Sequence, residues 1–515
     1  MSMDKDFLEK LIASANRPIQ KGARLKVDKR LSQYIEKYEK LRNIVGFHDE
    51  HVWRRYAIER IIKRLMLIGA SDSPRGEALL QELVLAEYII ESDVTDTVVK
   101  KVEAVIAKYL SAQTFIGSDN SLSPARAREW LFSLMAVEIE DALGLIEHER
   151  ALVDAMLREL ASRLSFPKFT ITKEQEHCFL LTAISRTLLK ADPPLIAYFF
   201  IQEWHRTWFS MKLNKEMVED VITLPARISS YERHALYKEV LRLVKPYSVI
   251  FLVLDEVIKK YKGDFHDFTS ECGTVLHNMN AHLTRKVKRQ IWYSFLYLLA
   301  TKLVLVFIIE LPYERLRGLP LNYTNAGINL IFPIVLLLIL TLGIRVGSVA
   351  NAKFILQETE NILRAHQSAL DGAIQIPRER SILRSFIFHS MFFTMYILTY
   401  GAIVYALYRL NFNPVSGALF IIFMTLVTYL AIRIRLTADR LLVILRFRSV
   451  GREILSFFAL PILASGKWIV GKFSRYNLII MIFDLLFEAP YKTIIFLFRD
   501  FSDYASEMRE RASSS

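Results

Sequence analysis

The chain has 515 residues and a mass of 59.7 kDa, with 67 Lys and Arg against 54 Asp and Glu, a net charge of +13. Hydrophobic residues make up 52% and the mean hydropathy is +0.24, with only 18 Gly and 15 Pro, which excludes a disordered or collagen-like chain. Two cysteines, Cys178 and Cys272, exclude a disulfide-built fold and a four-cysteine zinc site.

A basic excess raises nucleic acid or an acidic membrane surface as partner. The distribution decides between them. Residues 1–284 hold 40 basic and 40 acidic residues, whereas 285–515 hold 27 and 14. The first part carries no net charge and both signs are interspersed, so nucleic acid is not expected as a partner. The excess lies with the long apolar runs.

Residues 1–284 read as an all-helical cytoplasmic region. Residues 1–30 contain no apolar stretch of signal-peptide length, so the first membrane span is expected to act as the insertion signal. Further along, apolar residues recur at three and four, as in Leu131, Leu134, Met135, Ile139, Leu143 and Leu145, with Glu138, Asp141 and Glu147 expected opposite them. Ser123-Pro124 and Asp192-Pro193-Pro194 mark helix starts, and Thr172 with Gln175 has the form of a capping box. The loop Gly117 to Ser121 is a possible internal boundary. There is no fixed repeat, so a bundle or irregular helical array is expected. Tyr198, Phe199, Phe200, Trp204 and Trp208 are expected to fill a core.

Four runs suit bilayer spans of about 20 apolar residues: 291–309, containing Lys302, and then 328–344, 386–408 and 415–432, without charge. Together they define a transmembrane region over 285–435. Arginines and lysines flanking the runs number 16 on one side and 3 on the other, so both termini are expected in the cytoplasm of a cell (inner or plasma) membrane protein. Asn322 heads a formal glycosylation sequon in the first external loop. The segment between spans two and three has helical character, with Ile355, Leu356, Ile362 and Leu363 repeating at seven.

Residues 436–515 carry shorter apolar runs broken by charges, the pattern of interfacial amphipathic helices followed by a charged tail. A rival reading makes 454–470 a fifth span. Arg433, Arg435, Arg440, Arg446, Arg448 and Arg452 are placed to meet acidic lipid headgroups.

Lys302 is the sharpest candidate for function. It lies about 16 Å into its span at roughly 1.5 Å per residue, where a charge costs at least about 2.5–3.5 kcal/mol. It is expected to face other helices or a wet cavity, near Glu310 or His389. Glu310 lies eight residues further on, about 12 Å away by the same rise, so direct contact within one helix is not expected. Asp484 and Glu488, four apart, are interfacial acidic candidates. Gly343 and Gly347 form a small-residue pair suited to helix packing. Metal-like spacings at Glu174/His177, at His48 to His51 and at His277/His282 are each incomplete, so no metal or cofactor is expected. No motif for phosphate binding or nucleophilic catalysis stands out. The first functional expectation is a membrane-anchored interaction or scaffold protein with a cytoplasmic protein partner. The alternatives are a transporter or channel component using Lys302, which would need a homo-oligomer, and an interfacial lipid-modifying enzyme.

Overall fold

Among the described residues of the computed structural model, the helical periodicity of the first half becomes ten α-helices: α1 (Lys5–Ala15), α2 (Glu50–Ile68), α3 (Arg75–Leu85), α4 (Asp96–Thr114), α5 (Pro124–Ala142), α6 (Glu147–Arg163), α7 (Lys173–Ile184), α8 (Pro193–Trp204), α9 (Lys215–Arg233) and α10 (Tyr237–Tyr261). They are followed by α11 (Phe268–Leu305), α12 (Leu311–Leu316), α13 (Tyr323–Leu342), α14 (Val349–Leu363), α15 (Ile382–Arg409) and α16 (Pro414–Ala438). The structure describes residues 5–15, 50–68, 75–117, 122–166, 171–210, 213–262, 267–306, 310–318, 323–342, 344, 346–364, 368, 370–374, 382–443 and 460–468. Among these the fold is all-α except for two short strands, β1 (Leu164–Ser165) and β2 (Gly372–Ala373).

Local sequence sets several helix starts. Thr172 caps α7 with a complete capping box: Gln175 N donates to Thr172 Oγ1 at 3.2 Å, and Thr172 N donates to Gln175 Oε1 at 3.1 Å. Asp192 caps α8 by accepting from Leu195 N, with Pro193 in the first turn. Pro124 opens α5.

The chain divides into two compact units. The first comprises Met1–Met279, Gly347–Arg378 and Leu441–Ile444; the second comprises Asn280–Val346, Glu379–Arg440 and Leu445–Ser515. This differs from a sequential division at 284 and 435. The segment between the second and third apolar runs belongs to the helical unit because its apolar residues complete that unit's core.

In the first unit α4 packs on α5, α5 on α2 and α8, and α10 on α7 and α14. The helices on either side of Gly117 to Ser121 therefore belong to one unit, and 118–121 lie outside the described residues. Tyr198, Phe199, Phe200 and Trp208 are buried in the core, as expected; Trp204 instead is exposed and stacks on Phe200 with ring centroids 4.9 Å apart. Ile362 of α14 and Ile374 join the same core. β1 and β2 pair in parallel, Leu164 with Gly372 and Ser165 with Ala373. Next to them Asp371 accepts from Tyr247 Oη at 2.6 Å, Arg163 Nη1 at 3.3 Å and Ser368 N at 3.1 Å. Asn351 of α14 binds the third segment: its Nδ2 donates to Leu441 O at 2.7 Å and its Oδ1 accepts from Val443 N at 2.8 Å.

In the second unit α13 packs along α16, with Phe332 and Phe420 rings 4.6 Å apart. Two helices among the described residues are long and apolar enough to cross a membrane, Phe386–Arg409 and Pro414–Leu441. Gly327–Leu342 is apolar but shorter, and the first apolar run continues α11. The helix Phe386–Arg409 is almost wholly exposed, with Phe386, Phe393, Leu398, Tyr405 and Tyr408 all outward. Residues 460–468 are helical and approach α16 closely at Gly466, where a Cβ would stand 2.6 Å from Thr425 O. The remainder of the expected interfacial region and of the rival fifth span lies outside the described residues.

Candidate functional site

Lys302 points into the second unit and is 1% exposed. Its Nζ donates to Asn329 Oδ1 at 2.9 Å and stands 4.5 Å from the centroid of the Phe423 ring, a cation–π contact. Asn329 is fully buried and passes the link on: its Nδ2 donates to Glu310 Oε1 at 3.1 Å and Oε2 at 3.3 Å, and stands 3.4 Å from Ser416 O. Glu310, 2% exposed, also accepts from Ser416 Oγ. Lys302 and Glu310 are thus brought into one network through an amide on a different helix.

The elements that hold this relay are named by their sequence. Asn329 stands in the first half of α13 and is, with Asn325, one of two carboxamides in a mostly apolar helix. Ser416 occupies the first turn of α16, held by its cap: Asn413 Oδ1 accepts from Ser416 N at 2.7 Å. Asn413 Nδ2 in turn donates to Glu314 Oε1 at 3.0 Å, and Asn325 Nδ2 to Asn411 O at 2.9 Å. Polar groups of four elements therefore meet at one level of the unit.

Chemically, the relay is a cation and an anion separated by one neutral amide, which is both acceptor for the ammonium and donor for the carboxylate. Every member is sealed among side chains, and its polar atoms meet one another. Such a network fixes helix register.

Of the other sequence candidates, His389 is exposed on α15 and is not a member of the relay. Arg435 is exposed and lies 3.8 Å from Asp439; Arg433 and Arg440 are partly buried near the end of α16. Arg446, Arg448, Arg452, Asp484, Glu488, Asn322, Gly343 and His48 lie outside the described residues. His177 Nε2 meets Glu203 Oε2 at 2.6 Å, so its partner is a carboxylate from α8.

The first unit holds buried charge that periodicity placed elsewhere. Glu138, expected on the polar side of α5, is buried and binds Lys108; it also accepts from Tyr109 Oη at 3.0 Å and Trp208 Nε1 at 3.3 Å. Desolvation holds the Lys108 ammonium below its ordinary range, with Glu138 opposing. Glu140 is fully buried between Arg54 Nε and Arg55 Nε, each at 2.8 Å, and Arg55 also pairs with Asp192. The correction has a simple cause: α5 is covered by α2, α4 and α8, so most of its circumference faces protein. Near Glu140, burial first and then its negative charge push the Glu149 carboxyl up to about 7.

Compared with known protein families, with curated proteins and with solved structures, the chain matches none.

Proposed function

We propose that the chain is a multi-pass membrane protein whose helical unit stands on the cytoplasmic side, anchored by two helical hairpins, and that it serves as an interaction or scaffold protein there. One observation carries this reading. The chain leaves the first unit at 279, returns to it at 347, leaves again at 378 and returns at 441. Each excursion carries a pair of apolar runs, the even number that a return to the same side requires. Supporting this, Phe386–Arg409 is apolar and exposed around most of its surface, an arrangement suited to lipid and costly in water. The charge asymmetry agrees in sign, with basic residues concentrated at the ends that return to the first unit.

The same geometry favours a scaffold over a transport path through Lys302. Lys302, Asn329 and Glu310 are sealed and mutually bonded, as expected of a structural lock. Asp484 and Glu488, the acids of the interfacial-enzyme reading, lie outside the described residues.

Cysteine labelling tests the topology. Cys178 and Cys272 are buried, so background labelling is low. In intact cells, a membrane-impermeant maleimide should label Arg315→Cys and Arg409→Cys, which are exposed in the hairpin turns. Arg364→Cys and Arg242→Cys, exposed in the first unit, should react only after permeabilisation. Labelling of position 364 from outside would overturn the two-hairpin anchor.

A further inference from the structure

We propose that Ser14, His148 and Asp255 form a serine esterase centre in the first unit, as nucleophile, general base and orienting acid. The three residues come from α1, α6 and α10. Ser14 Oγ stands 3.0 Å from His148 Nδ1, and His148 Nε2 stands 2.6 Å from Asp255 Oδ1. This is the order hydroxyl, imidazole, carboxylate that activates a serine. It escapes a sequence search because the members are 134 and 107 residues apart and no short motif surrounds Ser14.

Proton positions follow from the acid. Asp255 is buried, its Oδ2 accepts from Lys259 Nζ at 2.7 Å, and its Oδ1 faces His148. Burial opposes ionisation, but His148 and Lys259 together hold its carboxyl below the usual carboxylate range. An ionised carboxylate only accepts, so Nε2 of His148 carries a proton. In the neutral ring, Nδ1 then presents its lone pair to Ser14 Oγ. The Ser14 hydroxyl has a second acceptor, Leu11 O at 2.9 Å, so activation requires that its single proton turn from Leu11 O to His148 Nδ1. Ser14 is only partly buried, so an acyl carbon can reach it.

The substrate class is a carboxylic ester. Ser14 Oγ bonds to the ester carbonyl carbon while its proton passes to His148 Nδ1. The bond from that carbon to the alkoxy oxygen breaks, and His148 returns the proton to the leaving alcohol. Water then attacks the acyl-serine, giving its proton to His148; the Ser14 ester bond breaks, the proton returns to Ser14 Oγ, and a carboxylic acid leaves. Asp255 holds the ring orientation and balances the imidazolium in both halves. No oxidant or metal enters the balance.

The test uses the full chain in detergent micelles, a fluorescent fluorophosphonate and p-nitrophenyl butyrate. The expected result is one phosphonyl adduct, mapped to Ser14 by peptide mass spectrometry, and ester hydrolysis that the adduct blocks. Ser14→Ala should abolish both, and His148→Gln should slow both by at least about 100-fold. Melting temperatures establish that these variants fold. Ser14→Cys supplies a second readout: its thiol should be alkylated by iodoacetamide faster than it is when paired with His148→Gln. No adduct, an adduct on another serine, or equal rates with and without His148 would overturn the proposal.

Discussion

The two units treat buried charge differently. In the first, opposite charges meet directly: Glu140 lies between Arg54 and Arg55, and Glu138 against Lys108. In the second, Lys302 and Glu310 are joined by Asn329, with Ser416 as a further donor to Glu310. A helical unit rich in charged side chains can desolvate arginine against carboxylate because many polar neighbours share the cost. A unit built of apolar helices has few such neighbours, so a neutral amide that donates and accepts lets two distant helix positions satisfy each other. The difference teaches that Asn329 and Ser416 act as connectors between helices of the second unit.

The strongest way to break the comparison is at Glu140. Glu140→Gln removes the carboxylate shared by Arg54 and Arg55 and leaves Arg55 with Asp192 alone, and removing one partner of a buried pair costs about 3–5 kcal/mol. Thermal unfolding of the full chain in detergent should show a large fall in the transition of the first unit. A loss below about 1 kcal/mol would mean that water reaches those arginines. At the amide relay, Asn329→Leu keeps the size and removes both bonds, leaving a buried ammonium and a carboxylate short of a partner. A loss of about 2–3 kcal/mol is expected. Adding Lys302→Met and Glu310→Gln to Asn329→Leu should recover part of it, since the stranded charges are then gone. Failure to recover would show that packing, rather than charge, sets the cost.

The smallest effect is a pH dependence at Glu149. Its folded carboxyl titrates at about 7, above the ordinary 4.5 of the unfolded chain. The folded state therefore binds the proton more tightly. The contribution of this group to stability is fully present below 4.5, declines as pH rises, and is lost above 7. Glu149→Gln should flatten that slope and raise stability at pH 8 by about 1–2 kcal/mol, discounted for partial exposure. Melting curves at pH 5 and pH 8 check it: an equal effect at both would remove titration as the cause.

Much of the helical framework was legible locally. Thr172 with Gln175, and Asp192 before two prolines, announced their helices because capping involves groups only three residues apart. The apolar runs announced the hairpin helices, since length and composition are properties of one segment. Lys302 was visible as an expensive charge, and Glu310 as a neighbour in sequence. Asn329 was not, because an uncharged amide leaves an apolar run looking apolar. Glu138 and Glu140 were equally hidden: a helix pattern shows which residues differ from their neighbours, not how many other helices surround it. Cys272 and Cys178, sparse in the sequence, proved to be buried thiols.

The sequence by itself determined an all-helical chain, a neutral first part, a basic and apolar second part and many of the helix ends. These depend on short-range sterics, hydrogen bonding and local composition. Tertiary structure decided which segments share a core. Residues 347–374 and 441–443 belong with the first unit because Ile362, Ile374, Asp371 and Asn351 find partners there, far away in sequence. It also decided that Ser14, His148 and Asp255 meet, and that Asn329 joins Lys302 to Glu310. Contacts at such separations arise from burial of apolar faces, and no local pattern encodes which faces are buried against one another.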